Sequence, residues 1–454
     1  MFATCLAIAL CLIAIGPARK RPAVAQAVDP PNILLIVTDD QRAGTTQDMV
    51  NLARGVARRG IAFGRAFVPT SLCCPARVSI LTGRYAHTTG VWNNAGPFGV
   101  GAFDDSSTIA TSLHDTGYRT GLFGKYLNGW WVDDQAYVPP GWDEWFAFMS
   151  SCCSYYGFDA SVNGTPTSFG SDVYGTTESA ERAAAFISST NEPVFVVWAP
   201  PAPHWPATPE QRYAGAYADL APWRPPSYME ADVSDKPAWV RSLPVWDGAK
   251  RRETDALRRQ EYETLLSVDD GVGVLLDALA ANGELSSTLI AYTSDNGMMW
   301  GEHRLDTKPF PWRSNHRIPF FVRYDPIVTA GARSPALVST IDLAPTIAAL
   351  AGVDGSATDG RSLLPLLTGE RAAIRTFLIL EHAAPGRAPA SCGIRTSNEL
   401  FVRYVTGEEE YYDYRKDRWE LRNAAYLDGV RRRVRTLRQR TRDGCSPTPP
   451  GFSW

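Results

Sequence analysis

Residues 71–83 read SLCCPARVSILTG, which sets Cys73 and Cys74 side by side ahead of Pro75 and Arg77. A disulfide between chain neighbours is strained, so the doublet needs another explanation. Pro75 fits the first turn of a helix, where a missing N–H costs nothing, and ARVSILTGRYA continues as that helix. The cysteines then sit at a helix N-terminus, which attracts anions, with Arg77 one turn in as a rigid fork of donors. A nucleophile there faces an anionic substrate or an oxyanion that develops during reaction. A buried packing cysteine beside a surface arginine would leave the same residues.

Asp39-Asp40 and Asp295-Asn296 form two adjacent pairs, each at the end of an apolar run. Neighbouring carboxylates repel and call for a cation, and an all-oxygen set with one amide suits Ca²⁺ or Mg²⁺ rather than zinc. Either pair alone also fits a cap or turn. Two pairs in equivalent positions favour a metal. Only five lysines follow residue 27, among them Lys125 and Lys308. A divalent ion, Arg77 and lysines together make a site for a tetrahedral oxyanion, sulfate or phosphate.

Something must position these groups. NILLIVT (32–38), PVFVVWA (193–199) and TLIAYTS (288–294) are continuous apolar runs, which predict strands buried on both faces of a parallel sheet. Leu265, Val268, Val272, Leu276 and Leu279 recur at helical spacing, with Asn282-Gly283 as a stop. Alternating strands and helices predict an α/β sheet whose site lies beyond the carboxyl ends of its strands. The three strand exits carry Asp39-Asp40, His204 and Asp295-Asn296. Residues 130–260 are rich in Trp, Tyr and Pro, and read either as insertions walling a cleft or as loops packed onto the sheet by their aromatics. From about 371, RTSNELFVRYVTGEEEYYDY predicts an antiparallel hairpin turning at Thr406-Gly407. In the final GVRRRVRTLRQRTR, Leu427, Val430, Val434 and Leu437 keep helical spacing and leave the arginines on an outer face. No internal repeat is seen.

The chain has 454 residues and a formal charge of −3, which becomes −6 if residues 1–27 leave with Arg19, Lys20 and Arg21. That balance gives no case for nucleic-acid binding. FATCLAIALCLIAIG has signal-peptide length, and AVAQA predicts cleavage after Ala27; an uncleaved N-terminal anchor is the alternative. The protein therefore reads as secreted or periplasmic, in an oxidising compartment. Six cysteines then remain, with spacing unlike a zinc site. Cys392 and Cys445, both in the last segment, are the expected disulfide, while Cys152 and Cys153 have no evident partners.

CCPARVSILTG resembles the type I sulfatase signature, Cys-x-Pro-x-Arg followed by x-x-x-Leu-Thr-Gly, and GYRTGLFGK (117–125) resembles the second signature. The likeness continues through PNILLIVTDDQ, PPGWDEWFAF, APHWP, YTSDNG, DGRSLLPLL and YVTGEEEYYDYRKDRWELRN, in family order across nearly the whole chain after residue 27. The doubled cysteine, DDQ, GKYLN and PPGWDEW are most similar to the glucosamine-6-sulfatase and extracellular endosulfatase branch. The resemblance implies an alkaline-phosphatase-like, mostly parallel sheet sandwiched by helices (28–370) and a C-terminal subdomain of antiparallel sheet plus helix (371–454). It implies that a formylglycine-generating enzyme oxidises Cys73 to formylglycine, whose hydrated aldehyde attacks sulfur. Asp39, Asp40, Asp295 and Asn296, with the modified Cys73, match the Ca²⁺ ligands. Arg77 and Lys125 match residues that hold the formylglycine, and His204 and Lys308 match groups that contact sulfate and protonate the leaving alkoxide. His303, in GEHRL, is kept as a substrate contact, whereas His87 and His316 read as packed or surface histidines. Two departures stand out. Leu127 occupies a position where many arylsulfatases carry histidine, leaving Asn128 as the polar contact. Arg313 stands where glutamate is usual, although the spacing from Lys308 to Pro319 is kept.

These residues point to hydrolysis of sulfate esters, of carbohydrates or aryl groups. A phosphonate monoesterase or phosphodiesterase of the same fold is an alternative, since both substrates are tetrahedral and singly charged. A binding protein for sulfated glycans, with Cys73 never oxidised, is a third.

Overall fold

The run NILLIVT forms strand β1 (Ile33–Thr38), buried throughout. Its side chains alternate between two apolar layers, as a period of two requires. Ile33, Leu35 and Val37 join a cluster with Val78 and Ile80. Leu34 and Ile36 join another with Leu265, Val268 and Val272. The strand is thus sandwiched between helices, which is why its sequence is apolar without interruption. The computed structural model describes residues 30–149, 154–355, 357–384 and 386–454. The leader expected at 1–27 and the Cys152-Cys153 doublet lie outside the described residues.

β2 (Ile61–Phe67), β3 (Arg119–Gly124), β4 (Glu144–Phe148), β5 (Asp159–Val162) and β6 (Thr165–Ser168) follow. Next come β7 (Val194–Ala199), β8 (Leu289–Ser294) and a small ribbon of β9 (Met299–Trp300) and β10 (Asp306–Thr307). With β11 (Phe321–Arg323) and β12 (Ala332–Ser339), they form one sheet, apart from the ribbon, in the order β12-β2-β11-β8-β1-β7-β3-β4-β5-β6. The central strands β8, β1, β7, β3 and β4 run parallel. β11 runs against both neighbours, pairing Phe321 with Tyr292 of β8. It therefore enters at the end where β1, β7 and β8 leave, which carries the preceding segment, Lys308 included, across their carboxyl ends.

The helix at the cysteine doublet spans Cys73–Thr82, with every residue buried. It begins two residues before Pro75, after an extended Leu72, so proline still lies in the first turn. The expected continuation through Gly83 is corrected. Gly83 adopts φ 69° and donates to the Ser79 carbonyl, closing the helix, and a new short helix starts at Ala86. A Cβ at Gly83 would also press within about 3.0 Å of Thr358 and Pro345. The Leu265–Leu279 periodicity lies in a longer helix, Gly248–Ala281, whose polar first half is capped by the Asp247 side chain.

The aromatic stretch after 130 follows the packing alternative. Trp130, Tyr126 and Trp145 meet edge to face and Trp142 stacks on Phe195. Trp205, however, stays 59 % exposed beside His204.

β13 (Phe377–His382), β14 (Ser391–Thr396), β15 (Glu399–Tyr404) and β16 (Glu409–Asp413) form an antiparallel sheet, with Gly407 in the turn at φ 85°. The helix Arg431–Gly444 buries Val434, Leu437 and Thr441. Leu427 and Val430 precede that helix rather than extending its buried face, and Leu427 is exposed. Its arginines are not all solvated either: Arg433 and Arg438 pair with Glu399 and Glu409. A disulfide joins Cys392 to Cys445, 53 residues apart, a closure that stabilises by about 4 kcal/mol on chain-entropy grounds. Among the described residues no helix is long and apolar enough to cross a membrane.

Candidate active site

Asp39 and Asp40 follow directly on β1, and Asp295 and Asn296 on its parallel neighbour β8. The in-register pair Thr38 and Ser294 brings the two exits level: the Asp295 N–H donates to the Thr38 carbonyl, and the Asp40 N–H donates to Asp295 Oδ1 at 3.1 Å. Asp40 is held at φ 68°, in the left-handed region that an aspartate adopts only under constraint. All four side chains are at most 5 % exposed.

The Cys73–Thr82 helix presents its N-terminus to these acids. Cys73 Sγ lies 3.0 Å from Lys308 Nζ and 3.7 Å from Asp39 Oδ1. Arg77, one turn in, donates through Nε to Asp295 Oδ2 at 2.8 Å and through Nη1 to the Lys125 carbonyl at 2.8 Å. Lys125 pairs with Asp39, and Lys308 with Asp40. Gly124 makes the approach of Lys125 feasible: its φ is 122°, and a Cβ there would strike the Ala199 carbonyl. His204 completes the ring, with Nε2 3.6 Å from Asp40 Oδ2 and Nδ1 2.5 Å from the Trp205 carbonyl. A carbonyl only accepts, so Nδ1 carries a proton and Nε2 is the exchangeable position.

Charge sets the ionisation here. Burial alone would raise the Asp39 carboxyl, but Lys125, His204, Arg77 and Lys308 overcome it and hold the group well below its ordinary range. Asp295, buried and repelled by Asp39, is pushed up to about 6 despite Arg77. Burial opposes ionisation of the Cys73 thiol too, yet Lys125 and Lys308 draw it below its usual value. Cys74 goes the other way: burial, then repulsion from Cys73, pushes it up to about 12.

The two cysteines therefore occupy different environments. Neither is in a disulfide. Cys74 faces away from the acids, its Sγ accepting from the Asn128 N–H at 3.0 Å and its own N–H donating to Asn94 Oδ1 at 2.9 Å. Asn128 is thus engaged with Cys74, and its side-chain oxygen lies 3.5 Å from that sulfur. Asn94 and Ser294, which ties the Gln41 N–H, the Thr38 carbonyl and the Asn296 carbonyl together, carried no signal of type or spacing in the sequence.

His303 is not brought to this cluster. It is 1 % exposed, with Nδ1 2.6 Å from Glu230 and Nε2 4.0 Å from Glu420. A ring held between two carboxylates leaves no open face for a substrate. His87 pairs with Glu381, and His316 Nδ1 lies 2.8 Å from the Val68 carbonyl.

A hard divalent cation fits the donor set. Asp39, Asp40 and Asp295 supply buried oxygens, and Asn296 Oδ1 is buried without any hydrogen-bond partner, which leaves its lone pairs open to an ion. Ligand atoms of Asp39, Asp40, Cys73 and His204 also lie within 4.8 Å of one another.

Residues 31–353 match the sulfatase family, and residues 301–443 match the N-sulphoglucosamine sulphohydrolase C-terminal family. The chain is 35 % identical to an extracellular sulfatase SULF-1 homologue of Drosophila melanogaster over 76 % of its own length and 32 % of the relative's. It is 33 % identical to human N-acetylglucosamine-6-sulfatase, over 84 % of this chain and 72 % of that one. Against the Sulf-1 homologues of Drosophila and Caenorhabditis elegans it thus spans about a third and about half of the relative's length. Among solved structures, a complex with the substrate D-glucosamine-2-N,6-O-disulfate superposes with TM-score 0.82 at 24 % identity, covering 92 % of this chain and 98 % of that one. The phosphonate monoester hydrolase of Agrobacterium radiobacter shares the fold at TM-score 0.72 and 20 % identity, covering 91 % and 95 %.

Proposed function

Because the chain belongs to the sulfatase family, we propose that it hydrolyses sulfate esters of carbohydrates outside the cytoplasm, through Cys73 oxidised to formylglycine by a formylglycine-generating enzyme. One observation carries the reading: of two adjacent cysteines, only Cys73 points into the ring of Lys308, Asp39, Lys125 and Arg77. A thiol in that place can form only one bond to sulfur chemistry. A hydrated aldehyde offers two hydroxyls, and the reaction needs both.

Lys308 and Lys125 flank the position of the attacking hydroxyl and stabilise its anionic form. That oxygen attacks sulfur, and the S–O bond to the alcohol breaks. The leaving alkoxide needs a proton, and His204 Nε2, 3.6 Å from Asp40, or Lys308 Nζ, 3.0 Å from Cys73 Sγ, gives it in this reading. The second hydroxyl then gives up its proton, the C–O bond to sulfate breaks, and the aldehyde that reforms is rehydrated by water. Asp39, Asp40, Asp295 and Asn296 would hold Ca²⁺, which when bound supplies Lewis-acid polarisation of a sulfate oxygen. Three carboxylates against Arg77, Lys125 and Lys308 balance in charge. A divalent ion adds two positive charges, which suits an anionic ester. The exposed Trp205 beside His204 offers a flat apolar face to a sugar ring.

Parallel assays decide the reaction class. An aryl sulfate should be turned over at least about tenfold faster than the matching aryl phosphodiester, a difference of about 1.4 kcal/mol in barrier. The reverse preference would assign a phosphodiesterase instead.

A further inference from the structure

We propose that the arginine-lined cleft beside Trp223 and Trp419 is a second anion site, taking a sulfate or carboxylate of the substrate other than the ester being cleaved; this rests on the sulfatase reading above. The cavity measures about 140 Å³ and is lined by Arg42, Arg313, Arg317 and Arg418, by the two tryptophans and by one acid, Glu420. Arg42 is spent: Nη1 pairs with Glu302 at 2.9 Å while the guanidinium lies 4.2 Å from the Trp300 ring. The other three are not. Among the described residues no carboxylate lies within ion-pair distance of Arg313, Arg317 or Arg418. Arg317 spends only Nε, on the Gly64 carbonyl at 3.1 Å. Arg418 rests on Trp419 at 4.7 Å, and Arg313 stands 5.8 Å from Tyr414.

Three guanidinium groups around one small cavity repel each other, and the one carboxylate among its lining residues, Glu420, accepts from the Arg313 N–H and the Tyr414 hydroxyl rather than from a guanidinium. Burial together with Arg313, Arg395 and Arg42 lowers Arg317 to about 10, in keeping with that repulsion. Such a field costs stability and is relieved by an anion. Guanidinium forks match the oxygens of carboxylate and sulfate two at a time. The rings of Trp223 and Trp419 meet edge to face, their centroids 6.3 Å apart, and both line the cavity, offering apolar surface to the sugar that bears that group.

Position links the cavity to the reaction. Arg42 stands two residues beyond Asp40. Arg313 and Arg317 flank a turn of helix packed on the other acid exit, where the Gly297 N–H, next to Asn296, donates to the Asn315 carbonyl at 2.7 Å. The cleft therefore draws on the same segments as the acid cluster, and a substrate bearing two acidic groups is the ligand proposed for the pair.

Titration calorimetry on the Cys73→Ala protein, which cannot turn ligand over, tests this against an Arg313→Gln, Arg418→Gln double variant in the same background. Three probes are used: a heparin-derived tetrasaccharide with sulfates and uronates, its desulfated N-acetylated form, and glucosamine 6-sulfate. The double variant should bind the sulfated tetrasaccharide at least tenfold more weakly and the monosaccharide less than twofold more weakly. Arg418→Gln alone, at an exposed position, should give about a threefold loss. A parallel loss with the desulfated probe assigns the site to carboxylate, and its absence assigns it to sulfate. Equal tetrasaccharide affinity in both proteins overturns the proposal. Failure of the unsubstituted protein to release sulfate would sink the sulfatase reading, while the titration still decides the cleft.

Discussion

Two buried charge networks invite comparison. One is the ring around Cys73; the other lies around His303, where the small sheet meets the large one. In the second, every charged group finds a complement. His303 sits between Glu230 and Glu420 and against Trp312. Lys236 donates to Glu230, Asp235 and the Leu421 carbonyl at 2.8–3.1 Å. Glu420 accepts from the Tyr414 hydroxyl and the Arg313 N–H. The ring around Cys73 is crowded but incomplete: Asn296 Oδ1 and Arg77 Nη2 are buried with no hydrogen-bond partner, and Asp40 is strained. Both networks perturb proton affinity, so a shifted pKa does not by itself mark function. Nor does an unpartnered atom, since Trp312 Nε1 beside His303 lacks a partner too; what separates the networks is that the unpartnered Asn296 Oδ1 is an acceptor set among three carboxylates, a group that suits a cation.

The contrast is largest at Cys73, the proposed nucleophile. Cys73→Ala should cut kcat for an aryl sulfate by at least about 10³-fold, while His303→Gln costs less than about fivefold in the same assay. Next, Asn296→Ala should weaken Ca²⁺ binding about tenfold or more in titration calorimetry, and leave the metal-free protein's unfolding midpoint in urea unchanged. A fall in that midpoint would mean that Asn296 Oδ1 serves the fold.

The His303 network should answer in stability rather than rate. Burial lowers the affinity of the ring for a proton, but Glu230 and Glu420 more than offset it and raise its pKa from 6.5 to about 9. A raised folded-state value contributes fully below about pH 6.5 and is lost as pH climbs through 9. Urea unfolding should therefore show His303→Gln costing about 3 kcal/mol at pH 6 and clearly less at pH 9.5. The smallest effect falls on the spectator cysteine: Cys74→Ala should cost about 1 kcal/mol and change kcat less than about threefold, since its thiol faces Asn94 and Asn128.

The uneven legibility of the chain has the same cause. β1, β7 and β8 are buried on both faces, so their apolar runs announced them, and the polar residues at their exits stood out. Cys73, Arg77 and Lys125 sit in compact motifs that fix spacing along the chain. Asn94 and Ser294 act through contacts made far along the chain or by a common residue type, which leave no pattern. The polar first half of Gly248–Ala281 lacks an apolar stripe and so hid the start of the helix. His303 was misplaced because a loop histidine near an active-site motif looks the same whether it faces the cleft or two buried carboxylates. The Trp223–Trp419 cleft gathers residues from four separate segments, and nothing short of the fold assembles it.

The proposed division gives chemistry to Cys73 and packing to Cys74. Mass spectrometry of the tryptic peptide AFVPTSLCCPAR, residues 66–77, from protein made in its native host tests it directly. An aldehyde at Cys73 and an intact thiol at Cys74 are expected. A thiol at Cys73, or the aldehyde at Cys74, would contradict it.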